Sequence, residues 1–232
     1  MKRVRSTNKN PKCDVPDAKR IVIVDDHPLF RKGLEQLIHS DGSFAVCGEA
    51  SNASEAMDVI RKLDPDLAIV DLSLPGANGI ELIKNIRAEF PNLPILVLSM
   101  HDESLYALRA LRAGAEGYVM KHEAMANVIH AIHEVFSGRS YLSPAMASQV
   151  ITKFAQGPPK GEVDAMERLS DRELEILELI GKGNEVPQIA KTLHLSPKTV
   201  ETHRAHIKEK LNLANARQVA RLAVQWVNAR GI

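Results

Sequence analysis

The sequence predicts an α/β doubly wound parallel five-stranded sheet over residues 20–138, followed by an all-α four-helix helix-turn-helix domain over residues 168–232. Three observations carry this prediction. Five short apolar runs alternate with amphipathic helical segments in the first half. The stretch Gly157-Pro158-Pro159-Lys160-Gly161 then interrupts the chain, in the manner of a domain boundary. Beyond it, apolar residues recur only at helical spacing. A length of 232 residues fits two compact domains better than one.

The elements follow in order. Arg20–Val24, Phe44–Val46, Leu67–Val70, Ile95–Leu98 and Gly117–Met120 are the five apolar runs, without the alternation of a half-exposed strand, so the sheet is covered on both faces. Helices are predicted between them over about 28–40, 53–64, 78–89, 103–112 and 122–137. Asn52 with Glu55 has capping-box spacing. Residues 139–167 read as a linker with a short helix starting at Ser143-Pro144. In the last unit, Ser170 and Glu173 form a second capping box before Leu174, Ile176, Leu177 and Ile180, and Gly181 and Gly183 end that helix. Three more helices are predicted over about 187–194, 197–211 and 215–228. Pro197 sits at the first turn of the third helix, where its missing N–H costs nothing.

Composition narrows the function classes. Hydrophobic residues are 44% and charged residues 25% of the chain, ordinary for a globular protein. No apolar run approaches the ~18 residues of a membrane helix, and the basic start of the chain lacks the apolar core of a secretory signal. Cys13 and Cys47 lie far apart, which speaks against a disulfide framework or a zinc knuckle. A cytoplasmic protein without membrane contact is expected. The net charge of +1 conceals a polarity. Residues 1–19 carry 6 basic and 2 acidic groups and are expected to be a disordered basic tail; residues 20–138 carry 10 and 17; residues 168–232 carry 11 and 7. The basic C-terminal unit suits an anionic partner such as nucleic acid.

In a parallel sheet, functional groups collect beyond the carboxyl ends of the strands. Here those ends carry Asp25 and Asp26, then Asp71, Ser99 and Lys121. Any one Asp at a strand end is ordinarily a turn or cap residue. Acid, acid, hydroxyl and amine at four different strand ends form a site. Three carboxylates offer the oxygen ligands of a hard cation such as Mg2+. A lysine and a hydroxyl beside them are the groups that hold a phosphoryl group on a carboxylate, so the chemistry implied is phosphoryl transfer to an aspartate. Gly181-Lys182-Gly183 lacks the spacing of a phosphate loop, and His130 and His133 do not form a metalloprotease motif.

Asp25-Asp26-His27, the segment from Asp71 through Ser73 and Pro75 to Gly79, Leu98-Ser99-Met100 and the segment from Gly117 to Lys121 together resemble the receiver domain of two-component response regulators, a flavodoxin-like fold. The resemblance implies that Asp71 is the phosphoacceptor. It also implies that Asp25, Asp26, Asp71 and the backbone carbonyl of Ser73 hold Mg2+, and that Ser99 and Lys121 contact the phosphoryl oxygens. Tyr118 is then the aromatic that turns inward as Ser99 shifts; as a residue alone it is equally a half-buried edge aromatic. Haloacid-dehalogenase-type phosphatases share this chemistry, but place the nucleophile in a D-x-D pattern on the first strand and need room for a cap. Neither feature is present here.

Residues 187–211 read as helix, tight turn, helix. Val200, Ile207 and Leu211 form a buried stripe. Lys198, Thr202, Ala205 and Glu209 project from the opposite side, flanked by Glu201 and His206, as on a helix laid in the DNA major groove. Any surface helix also shows a polar face. Leu169 through Glu173, Ile189-Ala190, Leu195 through His203 and Ile207 through Leu211 resemble the LuxR-type helix-turn-helix. A receiver followed by this unit is the NarL/FixJ type of response regulator, a resemblance spanning about 185 residues. It implies a sensor histidine kinase as phosphodonor, double-stranded DNA as target, and a homodimer formed on phosphorylation. The protein is then a transcription regulator and not a turnover enzyme. Lys191, Lys198, Arg204, Lys208 and Lys210 are the candidate phosphate contacts. Thr199, Glu201, Thr202, Ala205 and His206 complete the candidate DNA face. Glu201 either accepts from a cytosine amine or pairs with Lys198 or Arg204. Val219, Leu222, Ala223 and Trp226 either supply a dimer contact or pack within the unit. Glu185 and Val186 depart from the family's polar cap, and Ala205 stands where some relatives carry a base-reading Lys. Those departures leave a rival reading, a signalling receiver with a protein-binding output and a weak or vestigial DNA-binding domain.

Overall fold

The structure, a computed structural model, describes residues 18–155 and 165–229. The tail up to residue 17 and the Gly157-to-Gly161 break lie outside the described residues. The chain divides into two compact units, Met1–Ser143 and Pro144–Ile232.

In the first unit, strands β1 (Lys19–Val24), β2 (Phe44–Ala50), β3 (Leu67–Val70), β6 (Ile95–Ser99) and β7 (Gly117–Met120) form one sheet in the order β2-β1-β3-β6-β7. Every neighbouring pair is parallel. The chain alternates these strands with helices α1 (Pro28–Ser40), α2 (Ala53–Leu63), α3 (Gly79–Glu89), α4 (Glu103–Ala113) and α5 (Ala124–Phe136). Ile21 through Val24, Leu67 through Val70 and Ile95 through Leu98 are each at most 1% exposed. Continuous burial of this kind is why these runs are apolar throughout rather than alternating. Ile23, Ile69, Leu98, Val128 and Ile132 share one core cluster, which places α5 against the sheet.

Several boundaries differ from the sequence reading. Lys19, assigned to the tail, opens β1 opposite Phe44. β2 runs on to Ala50, because a register shift between Ile21 and Val22 lets Gly48 and Glu49 rejoin the ladder. A short antiparallel pair, β4 (Ser73–Leu74) and β5 (Ala77–Asn78), lies in the segment after Asp71. The receiver boundary expected at residue 138 falls short. Residues 139–143, assigned to the linker, return to the sheet edge, where Tyr141 bridges to Gly117 and its carbonyl accepts from Tyr118 N–H at 2.9 Å.

The second unit contains α6 (Pro144–Ala155), α7 (Asp171–Gly181), α8 (Val186–Thr192), α9 (Pro197–Lys210) and α10 (Ala216–Asn228). Ser170 caps α7 reciprocally: its hydroxyl accepts from Glu173 N–H at 3.3 Å, and Glu173 Oε2 accepts from Ser170 N–H at 2.7 Å. α7 packs on α9 and α10, and α8 on α9. Val200 and Ile207 are buried, as the stripe predicts. Gly181 is a contact glycine as well as a helix end, since a Cβ there would fall 2.5 Å from the Ala223 carbonyl oxygen of α10. Among the described residues no helix is long and apolar enough to cross a membrane.

Candidate functional site

The strand order reverses direction at β1 and β3, and a doubly wound sheet opens its crevice at such a switch point. β1 delivers Asp25 and Asp26 there, and β3 delivers Asp71, whose N–H is fixed by the Val24 carbonyl at 2.8 Å. β6 ends in Ser99, and Lys121 follows β7 in a single 3-10 turn, Lys121–Glu123.

The structure brings four of the predicted residues together. Lys121 Nζ lies 2.6 Å from Asp25 Oδ2 and 2.7 Å from Asp71 Oδ2. Asp25, Asp71 and Lys121 are all buried. Ligand atoms of Asp25, Asp26, His27 and Asp71 lie within 4.8 Å of one another. Burial pushes the Asp71 carboxyl above its ordinary value; the Lys121 ammonium opposes this only in part, and the Asp25 charge adds to it. Burial works against the Lys121 ammonium, but Asp71 and Asp25 outweigh it and hold its pKa above the ordinary value.

Local geometry explains how the acids are aimed. Asp25 Oδ1 accepts from His27 N–H at 2.8 Å, and Asp71 Oδ1 accepts from Ser73 N–H at 3.2 Å. Arg31, one turn into α1, donates to the Asp25 carbonyl at 2.5 Å and to Glu49 of β2 at 2.9 Å. The sequence reading missed this brace, although a basic residue on the first turn facing the preceding strand end was a usable signal. His27 Nδ1 lies 2.7 Å from Asp26 Oδ1, but outside the angles of a hydrogen bond. Asp26 Oδ1 is thus buried with no hydrogen-bond partner. Such an oxygen costs free energy unless something satisfies it, and a hard cation is the natural candidate.

Ser99 is fully buried and its Oγ accepts from His101 N–H at 3.1 Å. Tyr118 is 1% exposed, and its hydroxyl donates to the His101 carbonyl at 2.7 Å. Burial raises its pKa far beyond the ordinary phenol value, which a hydrogen bond with Ser99 offsets only slightly. The ring is therefore turned inward, not half-buried at the edge. His101 Nε2 also approaches Ser73 Oγ at 3.0 Å. Leu29, Met100 and Met125 are large apolar side chains left exposed, each close in sequence to a residue of the cluster.

On α9, Lys198, Glu201, Thr202, Ala205 and His206 are exposed, as is Lys191 on α8; Thr199, Arg204 and Lys208 are half-buried. Glu201 pairs with Arg204 at 2.9 Å, so the intrahelical alternative is the one present. Lys210 is engaged elsewhere: its Nζ lies 2.7 Å from Glu173 Oε2. Gln188 Oε1 accepts from Glu185 N–H at 2.7 Å, so α8 retains a cap contact despite the departure at Glu185. Val219 and Ala223 are buried at 1% and 0% within the unit, which corrects their assignment as dimer contacts. Leu222 and Trp226 are half-buried, and the exposed large apolar residue of α10 is Val224.

Residues 21–133 match the response regulator receiver domain, and residues 167–223 match the luxR family of bacterial regulatory proteins. The oxygen regulatory protein NreC of Staphylococcus carnosus is 35% identical over 210 residues, which span 89% of this chain and 97% of that protein. The response regulator GacA of Pseudomonas viridiflava is 34% identical over 206 residues, 89% of this chain and 95% of that one. Among solved structures, RcsB of Salmonella enterica serovar Typhimurium, bound to a promoter in the presence of phosphomimetic BeF3-, aligns with a TM-score of 0.59 at 30% identity. That alignment covers 88% of this chain and 98% of that one.

Proposed function

Because the chain belongs to the NarL/FixJ-type response regulators, a receiver domain joined to a LuxR-type DNA-binding domain, we propose that Asp71 is its phosphoacceptor and that phosphorylation there controls DNA binding by the C-terminal unit. The observation that carries this reading is the buried set of Asp25, Asp71 and Lys121, with one ammonium 2.6 Å and 2.7 Å from the two carboxylates.

In the proposed reaction an Asp71 carboxylate oxygen attacks the phosphorus of a phosphohistidine on a sensor histidine kinase. The P–N bond breaks and the histidine departs with the bonding pair. Asp71 becomes a mixed anhydride and is consumed as acceptor, so the protein does not turn over as an enzyme. Lys121 sits where it neutralises a phosphoryl oxygen, and Ser99 offers a hydroxyl to another. Asp25, Asp26 and Asp71, with the Ser73 carbonyl, would hold Mg2+, and the unsatisfied Asp26 oxygen supports that fit. When bound, the metal supplies the positive charge that lets one anion approach another. The exposed Leu29, Met100 and Met125 give the kinase an apolar seat around the pocket.

Tyr118 transmits the change: its inward ring couples Ser99 and His101 to the face built by α4, β7 and α5. Lys191, Lys198, Arg204 and Lys208 then meet phosphates, and Thr199, Glu201, Thr202 and Ala205 face the groove. Phosphorylation favours a homodimer, to which Leu222, Val224 and Trp226 of α10 are available. A kinase donor and a DNA target support a cytoplasmic location. Incubation with acetyl phosphate and Mg2+, followed by intact-protein mass spectrometry, tests the assignment. The wild type gains one phosphoryl mass and Asp71→Asn gains none; equal labelling of the two rejects it.

A further inference from the structure

We propose that Glu173, His203 and His206 form a binding site for a divalent transition-metal ion, Zn2+ foremost, that staples helix α9 to helix α7. A carboxylate oxygen of Glu173 and one ring nitrogen from each histidine lie within 4.8 Å of one another. His203 and His206 are three apart on α9, so they share a face, and Glu173 comes from the first turn of α7. This cluster plays no part in the chemistry at Asp71.

Glu173 is a charged residue only 2% exposed. Its Oε2 is taken by Ser170 N–H and by Lys210 Nζ, both at 2.7 Å. Its Oε1 lies 3.8 Å from His206 Nδ1, too far for a hydrogen bond. One oxygen is thus anchored while the other is presented toward the histidines. His203 Nδ1 is sequestered from solvent with no hydrogen-bond partner. The capping box and the Lys210 ion pair account for Glu173 Oε2, but they leave the buried imidazole nitrogen unsatisfied.

The donor set selects the ion. Two imidazole nitrogens and one carboxylate oxygen suit Zn2+ with a fourth position open to water, whereas Mg2+ and Ca2+ prefer all-oxygen sites. Exposed His206 leaves that fourth position toward solvent. Lys210 and the Ser170 amide already orient the carboxylate from its far side, the role of outer-sphere partners in metal sites. Metal binding would fix the rotation of α9 about its axis relative to α7, and thereby the direction of its outer face.

The test is a Co2+ titration of the full chain followed by visible absorption, with Zn2+ added afterwards, on the wild type, His206→Gln and His203→Gln. The difference between wild type and variant cancels any Co2+ held by the acidic residues of the receiver. The wild type is expected to show the intense visible band of low-coordinate Co2+, removed by Zn2+. Each variant is expected to lose the band or to bind at least ~10-fold more weakly. His206 is exposed, so its variant keeps the fold and decides the matter even where His203→Gln does not fold, as circular dichroism reports. Identical spectra and stoichiometry for the wild type and His206→Gln overturn the proposal.

Discussion

At the scale of single residues, the protein keeps charges buried by pairing them closely. Lys121 serves two carboxylates at once, which makes the Asp71 pocket tolerable before any reaction. Glu173 is the counterpart in the second unit, and there the pairing is measurable. Its contacts to Lys210 and Ser170 outweigh burial and hold its pKa below the ordinary 4.5. A carboxylate depressed in the folded state stabilises fully above its unfolded pKa and loses that contribution as pH falls through the folded value. Glu173→Gln is therefore expected to cost about 1.5 kcal/mol at pH 7. That cost should be full above the ordinary value of 4.5 and shrink as pH falls below it. Urea unfolding of both proteins in the presence of a chelator measures this, and a constant difference across the range contradicts the ionic origin.

At the scale of elements, the first turn after β3 positions the chemistry. Gly79 begins α3 against the backbone that follows Asp71, and a Cβ there would fall 2.5 Å from the Asp71 carbonyl oxygen and closer still to Leu72 Cα. Backbone cannot yield as a flexible side chain can. Gly79→Ala is expected to cost about 1–3 kcal/mol in thermal unfolding and to slow phosphoryl labelling of Asp71; unchanged labelling would show that the turn does not set the acceptor's position. The sheet and its five helices were legible because doubly buried strands leave unbroken apolar runs. The β4–β5 pair was not, since two-residue strands leave no periodic trace. At Gly79 only the fold reveals that the constraint on the residue is space. Likewise the stripe of Val219 and Ala223 has one periodicity whether it faces a partner or α7, and it faces the interior.

At the scale of the whole molecule, an acidic receiver precedes a basic helical unit, and each carries its own chemistry. Asp25, Asp26, Asp71, Ser99 and Lys121 could be read from the sequence because a parallel sheet converts strand ends into neighbours. The Arg31 brace, the orphaned Asp26 oxygen and the Glu173–His203–His206 cluster could not, since each depends on side-chain packing between elements distant in sequence. The link between the two units is the step that defines the protein's work. A gel-mobility titration of promoter fragments, with and without acetyl phosphate and Mg2+, measures that link on the wild type and on Asp71→Asn. Phosphorylation of the wild type is expected to tighten DNA binding by at least ~10-fold, within the usual range of coupling between sites, and to leave Asp71→Asn unchanged. Equal wild-type affinity in the two conditions, or an equal response from Asp71→Asn, would contradict control of DNA binding through Asp71.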